Sequence, residues 1–265
     1  MLFQNQGLYN FVCQINRHHK TFFSIDFKQR TYRLLFLVLC ILMSYSLLPA
    51  QTYKINKYGL KLIDNITSYQ SLIKSHPAIE LVNLTTLIPH LKTNWVYATE
   101  NNFTHKILYE DPAPYLCLKA AKALAKVANQ LEKLGLGILI YDAYRPYSVT
   151  VKMWEVVPDN RYAANPSHGS GHNRGLAVDL SLYDLQTGQP LAMPTGFDDF
   201  TQKAHQDYDQ FPEEVLKNRA LLKKIMTHAG FNSLRTEWWH YTYPGTHQQY
   251  PLIDLSFQAL HSLKQ

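Results

Sequence analysis

The sequence predicts an α+β domain in which a mainly antiparallel sheet carries helices packed on one side. Two long segments place apolar residues at helical spacing, and three short segments show the apolar runs or the alternation typical of strands. The chain has 265 residues, 46% of them hydrophobic, and no internal repeat is visible. These values fit one globular domain with a short extension.

The first fifty residues are a different kind of sequence from the rest. They contain five Lys or Arg against the single acid Asp26, followed by an uncharged apolar run from Leu34 to Leu48. About fifteen apolar residues are fewer than the roughly twenty that a membrane span needs. Residues 1–50 are therefore predicted to be a basic leader and export signal that is cleaved after Ala50, and a single-pass membrane anchor is the alternative.

The net charge argues against a nucleic-acid partner. The whole chain carries a formal charge of +6, but five basic residues and one acid lie in the leader, so residues 51–265 carry only +2. A nearly neutral domain has no electrostatic footprint for nucleic acid. Of the three cysteines, only Cys117 lies outside the leader. An internal disulfide is therefore excluded for residues 51–265, and Cys117 is expected to be a small buried hydrophobe.

The first predicted elements of the domain lie in the middle of the chain. Pro114 to Leu134 has apolar residues at helical spacing and is predicted to be a helix that packs on the core. Gly137 to Tyr141 is a short apolar run typical of a buried strand, and Asp142 and Arg145 follow at its end. Pro146 then suits the first turn of another short helix.

The second half of the domain alternates between loops, strands and one more helix. Ala163 to Arg174 is rich in Ser, Gly, Asn and Pro and is predicted to be a loop over the site. Leu176 to Leu182 alternates as a strand does, so Asp179 projects from the face opposite the aliphatic row. Glu213 to Ala229 predicts a second long helix, and the aromatic segment Trp238 to Tyr243 predicts a strand.

Four residues in two short motifs carry the predicted chemistry. His172 and Asp179 lie in Ser-Gly-His-Asn-Arg-Gly-Leu-Ala-Val-Asp, and Glu237 and His240 lie in Glu-Trp-Trp-His. Two imidazoles and one carboxylate make an open three-ligand zinc site in a cleft, and a second carboxylate nearby can take the proton of an attacking water. Each motif alone occurs by chance. Together they predict a metallohydrolase with His172, Asp179 and His240 as zinc ligands and Glu237 as general base.

The position of Glu237 follows from strand geometry. Residues three apart on a regular strand point to opposite faces, so Glu237 and His240 cannot both face the site from such a strand. Glu237 is therefore expected in the loop that enters the strand, or at a bulge.

The joint pattern resembles a known family. Ser-x-His-x-x-Gly-x-Ala-x-Asp followed by Glu-x-x-His, with Asp142-Ala143-Tyr144-Arg145-Pro146 upstream, is similar to the zinc D-Ala-D-Ala dipeptidases related to the vancomycin-resistance dipeptidase. The wider superfamily includes zinc D,D-carboxypeptidases, peptidoglycan-cleaving endolysins and the hedgehog signalling domain. The segments from Tyr97 to Thr104 and from Gly196 to Asp198 also resemble family signatures. One departure is His105, where relatives commonly carry glycine, so the turn there is expected to differ.

The resemblance implies roles for further residues. Arg145 is assigned to the developing oxyanion, and a structural salt bridge to Asp142 is the alternative. Asp198 is expected to bind the free ammonium of the substrate, with the adjacent Asp199 as a competitor for that role. Tyr97 is expected to line the same end of the pocket. Ser170 is expected to hydrogen-bond the substrate backbone or carboxylate.

The predicted function is that of a zinc dipeptidase, with one Zn²⁺ per chain, that hydrolyses the small dipeptide D-Ala-D-Ala in the periplasm or cell envelope. Without cleavage of the leader, the domain is expected to be anchored in the membrane; with cleavage, no stable membrane contact is expected. A D,D-carboxypeptidase or endopeptidase that trims peptidoglycan stems is the enzymatic alternative. A hedgehog-like, non-catalytic zinc-binding domain is the alternative outside enzymes.

Overall fold

A computed structural model of the chain describes residues 32, 33, 35–37 and 53–263. The predicted leader and its cleavage point therefore lie almost wholly outside the described residues, of which the five before residue 53 are helical. Within the described part of the chain, no helix has both the length and the apolar content needed to cross a membrane.

Residues 53–263 contain ten short strands and five α-helices. The strands, in chain order, are β1 (Lys54–Ile55), β2 (Lys61–Ile63), β3 (Leu81–Asn83), β4 (Lys92–Thr93), β5 (Tyr115–Cys117), β6 (Leu136–Asp142), β7 (Ala177–Asp184), β8 (Asn232–Ser233), β9 (His240–Thr242) and β10 (Leu252–Ile253). The helices are α1 (Ile66–Ser75), α2 (Leu118–Glu132), α3 (Tyr147–Val156), α4 (Glu213–His228) and α5 (Phe257–Ser262).

The central sheet has five strands in the order β4-β6-β7-β9-β8, and only the β4-β6 pair is parallel. Helix α2 contacts β6, and α4 contacts both α2 and β8. The predicted α+β class, with a mainly antiparallel sheet and helices on one side, is confirmed. Two smaller sheets, β1-β2-β10 and β3-β5, accompany the central one.

Strand β7 is the centre of the sheet and positions the site. All of its residues except the last are buried, so both of its faces are covered by protein. In the register of the sheet, Asp179 lies opposite His240 on β9 and opposite Asp142 on β6. The β6-β7 register shifts between Ile140 and Asp142, as expected of a β-bulge, and this irregularity re-aims the end of β6 towards the site.

Two predicted elements are shorter than expected. The helix predicted from Pro114 begins only at Leu118, because Tyr115–Cys117 is extended and pairs with β3. The strand predicted from Trp238 begins only at His240, because Trp238 and Trp239 lie in a turn and are almost fully buried in the core. Strand pairing in the first place, and burial of two indole rings in the second, override a local pattern that is ambiguous by itself.

Other predicted elements agree closely with the structure. Helix α4 ends at His228, and Gly230 follows with φ of 93°, which glycine adopts without strain. Cys117 is fully buried and is the last residue of β5. His105 has φ of 52°, in the left-handed region that favours glycine. Glycine would adopt this backbone conformation without strain.

Candidate active site

The structure brings the three predicted metal ligands together at the β7-β9 edge. The Nε2 atom of His172 lies 3.3 Å from Nδ1 of His240 and 3.3 Å from Oδ2 of Asp179. The Nδ1 atom of His240 lies 2.8 Å from Oδ1 of Asp179. Among the described residues, these three form a group whose potential ligand atoms all lie within 4.8 Å of one another.

This donor set fits a tetrahedral metal ion. Zinc bonds of about 2.0 to 2.1 Å imply ligand atoms roughly 3.3 Å apart along the edge of a tetrahedron. The two 3.3 Å separations match that edge, and the 2.8 Å contact needs only a small outward shift of His240 or Asp179. Two imidazole nitrogens and a carboxylate oxygen are ligands that zinc accepts, so these residues could hold the metal.

Both histidines are oriented from behind by a partner on the other ring nitrogen. Nδ1 of His172 lies 2.7 Å from the carbonyl oxygen of Ala143, and Nε2 of His240 lies 3.0 Å from Oγ1 of Thr242. A carbonyl can only accept, so His172 carries its proton on Nδ1 and presents Nε2 as a lone pair to the site. Thr242 can play the same part for His240, which leaves Nδ1 of that ring to face the metal.

Local structure explains how His172 reaches this position. His172 begins a short 3-10 turn, His172–Arg174, that is followed by Gly175 with φ of 63°. A Cβ atom at Gly175 would come within 2.5 Å of the Leu81 side chain and 3.0 Å of the Cys117 backbone nitrogen. Glycine is therefore needed where the chain turns from the loop into β7. This turn allows His172, in the loop, and Asp179, on the strand, to face the same site.

The two neighbouring histidines favour the ionised form of Asp179. Burial opposes its ionisation, but the charges and hydrogen bonds of His172 and His240 hold the pKa of Asp179 well below its usual range. Burial also disfavours the charged form of His240, whereas Asp179 outweighs it and raises the pKa of His240. A metal ion replaces the proton that would otherwise be shared among these groups.

Glu237 lies in the loop before β9, as expected, and not on the strand. Its Oε2 atom is 3.9 Å from Nδ1 of His240, so Glu237 lies next to the proposed metal ligands. Burial raises the pKa of Glu237, and Asp179 adds to the rise while His240 opposes it. A carboxylate with a raised pKa beside a metal site has the properties of a general base.

Arg145 lines the cleft and is also held in the salt bridge that the sequence left as an alternative. Its Nε and Nη2 atoms donate to Oδ2 of Asp142 at 2.9 and 2.6 Å, and both side chains are buried. Asp142 also accepts from the hydroxyl of Tyr109 at 2.7 Å. The salt bridge fixes the guanidinium at the wall of the cleft. The salt bridge to Asp142 and the predicted oxyanion role of Arg145 are therefore compatible.

Tyr97 and Asp198, the residues predicted to bind the substrate ammonium, line the same cleft. The buried Tyr97 donates its hydroxyl to Oδ2 of Asp198 at 2.9 Å, and the guanidinium of Arg145 lies over the Tyr97 ring at 5.4 Å. Desolvation raises the pKa of Asp198 to about 8, against the Tyr97 hydrogen bond and with a further contribution from Asp179. The competitor Asp199 instead accepts from the backbone nitrogen of Thr201 and does not line the cleft.

Ser170 lines the cleft but is already engaged. Its Oγ atom accepts from the backbone nitrogen of His172 at 3.1 Å, and its own backbone nitrogen donates to Asn173 at 2.8 Å. The hydroxyl proton of Ser170 is still free to donate to a ligand, so the turn contact and the predicted substrate contact can coexist.

All eight predicted site residues line one cavity of about 260 Å³. This volume is below the roughly 300 to 1,000 Å³ of sites for drug-sized ligands, and suits a smaller molecule. Part of the predicted loop, including Ala163, Ala164 and Gly171, also lines it, together with Arg161 and Phe200.

Sequence reasoning found only one of the residues that support the site from behind, Asp142, as the alternative salt-bridge partner of Arg145. It missed Thr242, which contacts His240, and Tyr109, which donates to Asp142. It also missed Asn173, which donates to the backbone oxygen of Arg145 at 2.9 Å. Tyr109 and Thr242 carry no signal in the sequence, because only the folded chain brings them to the site.

Comparisons with known proteins identify the family of the chain. A family model of peptidase M15, described as D-Ala-D-Ala dipeptidase, matches residues 77–258. The D-alanyl-D-alanine dipeptidase of Escherichia coli (strain K12) is 37% identical over 183 residues, which cover 69% of this chain and 94% of that protein. The enzyme of the same name from Streptomyces coelicolor is 34% identical over 191 residues, which cover 63% of this chain and 95% of that protein.

Among solved structures, the LdcB LD-carboxypeptidase is similar at 17% identity and a TM-score of 0.38, over 76% of this chain and 88% of that one. The family match extends over more than half of the chain and includes every predicted site residue. The resemblance seen in the sequence motifs is therefore confirmed, and the chain belongs to the D-Ala-D-Ala dipeptidase family of M15 metallopeptidases.

Proposed function

We propose that the chain hydrolyses D-Ala-D-Ala to two molecules of D-alanine, with one zinc ion per chain held by His172, Asp179 and His240. The observation that carries the proposal is that three side chains able to hold a metal ion and the buried acid Asp198 line one small cavity. The family supports the same substrate, because its curated members are D-alanyl-D-alanine dipeptidases.

Glu237 performs the proton transfers of this reaction. When bound, zinc supplies Lewis-acid polarisation of the scissile carbonyl and lowers the pKa of the attacking water. The Glu237 carboxylate takes a proton from that water as the oxygen of the water bonds to the carbonyl carbon. Glu237 then delivers the proton to the departing nitrogen as the C–N bond breaks. The desolvation that raises its pKa makes Glu237 a stronger base for the first step.

Arg145 stabilises the negative charge that develops on the carbonyl oxygen. Its guanidinium is permanently charged, and the salt bridge to Asp142 holds it in one orientation before substrate arrives. Such preorganised charge costs no reorganisation at the moment of reaction. Ser170 assists by donating its hydroxyl proton to the carboxyl end of the substrate.

Asp198 makes the cavity selective for substrates with a free amino group, and so for dipeptides. In the absence of a cation its ionised form is disfavoured, as its pKa of about 8 indicates. The free ammonium of a dipeptide supplies the missing positive charge and lowers that pKa on binding. An acylated amino group has no charge to offer and adds bulk, so the cavity favours a free dipeptide over a peptidoglycan stem.

A comparison of three substrates tests this proposal. The purified zinc-loaded protein is assayed with D-Ala-D-Ala, N-acetyl-D-Ala-D-Ala and a stem pentapeptide ending in D-Ala-D-Ala. The acetyl group removes the ammonium partner of Asp198 and adds bulk, so kcat/KM for the acetylated dipeptide is expected to be at least about a hundredfold lower. Equal kcat/KM values for the free and acetylated dipeptides contradict the dipeptidase assignment and favour a carboxypeptidase. Bound zinc without turnover of any of the three favours a binding domain.

The place of the reaction is proposed from the leader alone. Five basic residues followed by an apolar run that ends near Ala50 support export to the cell envelope, where peptidoglycan turnover supplies D,D-peptides. Mass spectrometry of the expressed protein is expected to find a mature chain that begins near Gln51. An intact leader in the membrane fraction favours the anchor instead, with the domain on the outer side.

A further inference from the structure

A second cavity, of about 320 Å³, shares no lining residue with the catalytic cleft. Lys61, Arg174, His247 and Gln248 contribute the polar side chains of its lining, together with Tyr53. None of its described lining residues is acidic. The cavity is therefore rich in hydrogen-bond donors and positive charge.

Arg174 is unusual because its guanidinium is buried without a described acidic partner. The residue is only 5% exposed, and it donates to the carbonyl oxygens of Tyr250 at 2.6 Å and His168 at 3.2 Å. Arginine has five N–H donors, so these two bonds leave donors for a ligand.

Other arginines of the domain differ from Arg174 in one respect or the other. Arg145, Arg161 and Arg235 each form a salt bridge with an aspartate. Arg219 is also buried and also donates to backbone carbonyls, at His205 and Tyr208, but it does not line this cavity. Arg174 thus combines a desolvated, uncompensated charge with an opening that admits a small molecule.

We propose that this cavity is an anion site that takes the phosphate or carboxylate group of a small molecule, with Arg174 at its floor and Lys61 and His247 beside it. A planar guanidinium with free donors matches the paired oxygens of either group. An anion here also compensates a charge whose burial is costly. The proximity of the two residues is visible in His247, whose pKa is lowered chiefly by the charge of Arg174.

The proposal is independent of the dipeptidase assignment, although the two sites share one turn of backbone. Arg174 closes the 3-10 turn that begins with the predicted ligand His172. The test must therefore separate anion binding at Arg174 from anion binding at the catalytic metal.

Isothermal titration of inorganic phosphate, and separately of acetate, into the zinc-loaded chain provides the test. Lys61→Glu is expected to weaken phosphate binding at this site at least tenfold, whereas Lys122→Glu, the same charge change on the exposed face of α2, leaves it unchanged. Arg174→Gln is expected to abolish this binding, and the thermal midpoint of that variant reports whether it folds. Stronger binding of phosphate than of acetate identifies the preferred group.

His240→Ala separates the two sites, since it removes a predicted metal ligand and leaves the second cavity intact. Phosphate binding that survives in His240→Ala and is lost in Lys61→Glu supports the proposal. Phosphate affinity that is the same in wild type and Lys61→Glu overturns it. Complete loss of phosphate binding in His240→Ala also overturns it, because the metal site then accounts for all of the binding.

Discussion

Asp179 and Asp198 stand in the same cavity, and the protein shifts their pKa values in opposite directions. Both carboxylates are desolvated, which by itself disfavours the charged form. The pKa of Asp179 nevertheless lies well below its usual range, whereas that of Asp198 is raised to about 8. Burial therefore does not decide the state of a carboxylate in this cleft.

The neighbours of each aspartate account for the difference. Asp179 lies between two imidazoles, which contribute positive charge and hydrogen bonds. Asp198 has one hydrogen bond, from the neutral hydroxyl of Tyr97, and feels the negative charge of Asp179. Asp179 is thus permanently ready to bind a cation, and Asp198 becomes a stable anion only when a cation arrives. Such a division suits a metal at one end and a substrate ammonium at the other.

Exchanging each aspartate for asparagine tests this division most severely. Asp179→Asn replaces the anionic ligand by a neutral amide and is expected to abolish both stoichiometric zinc binding and turnover. Asp198→Asn is the matched control, since it makes the same change in the same cavity and is expected to keep the zinc. Metal analysis and the dipeptide assay measure both results. Stoichiometric zinc in Asp179→Asn contradicts the ligand assignment, and His240→Ala repeats the test on a second ligand.

Glu237→Gln separates the general base from the ligands. The variant is expected to keep its fold and its zinc but to lose kcat by about 10²- to 10⁴-fold, the usual contribution of general acid–base catalysis. Circular dichroism, metal analysis and steady-state kinetics check the three parts. Activity near that of the wild type would show that the proton passes through another group.

Thr242→Val tests a residue that only orients a proposed metal ligand, His240, and does not itself face the metal. The change removes the hydroxyl that faces Nε2 of His240 and keeps the branched shape of the side chain. Loss of such an outer contact typically costs 10- to 100-fold in metal affinity, so the zinc Kd is expected to rise by about that factor. Competition with a chelator measures it. Thr242→Ser restores the hydroxyl and serves as the rescue, and equal zinc affinity in Val and Ser variants argues against the role.

A further expected effect concerns stability and pH in the metal-free protein. Since the folded pKa of Asp198 is above its ordinary value of 3.8, the folded chain binds more protons than the unfolded chain between about pH 4 and 8. Stability is therefore lost as the pH rises through that window, by at most about 1.4 kcal/mol per pH unit.

Asp198→Asn removes this dependence. Asparagine also suits the backbone, because residue 198 has φ of 61° and asparagine tolerates the left-handed region. The free energy of unfolding of this variant, measured with urea at pH 5 and pH 8, is expected to exceed that of the wild type by a larger margin at pH 8. A margin that is the same at both pH values contradicts the raised pKa.

Much of the fold follows from local patterns. The long helix α4 and strand β7 could be predicted from periodicity, strand β6 from its apolar run, and the candidate metal ligands from two motifs. The boundaries near Pro114 and Trp238 could not, because a short apolar segment next to a helix or strand carries the same periodicity until pairing with another strand decides it. The loop position of Glu237 was predicted correctly because it follows from strand geometry alone.

What the sequence by itself determined is chemical identity: which side chains can bind a metal, take a proton or pair with an ammonium, and the two motifs that contain most of them. The tertiary structure decided their electrostatic state and orientation. The register of β6, β7 and β9 sets Asp179 beside His240 and Asp142, and brings Thr242 behind the ring of His240. Charge interactions and desolvation act through space, between residues far apart in the chain, so the opposite pKa shifts of Asp179 and Asp198 exist only once the sheet has formed.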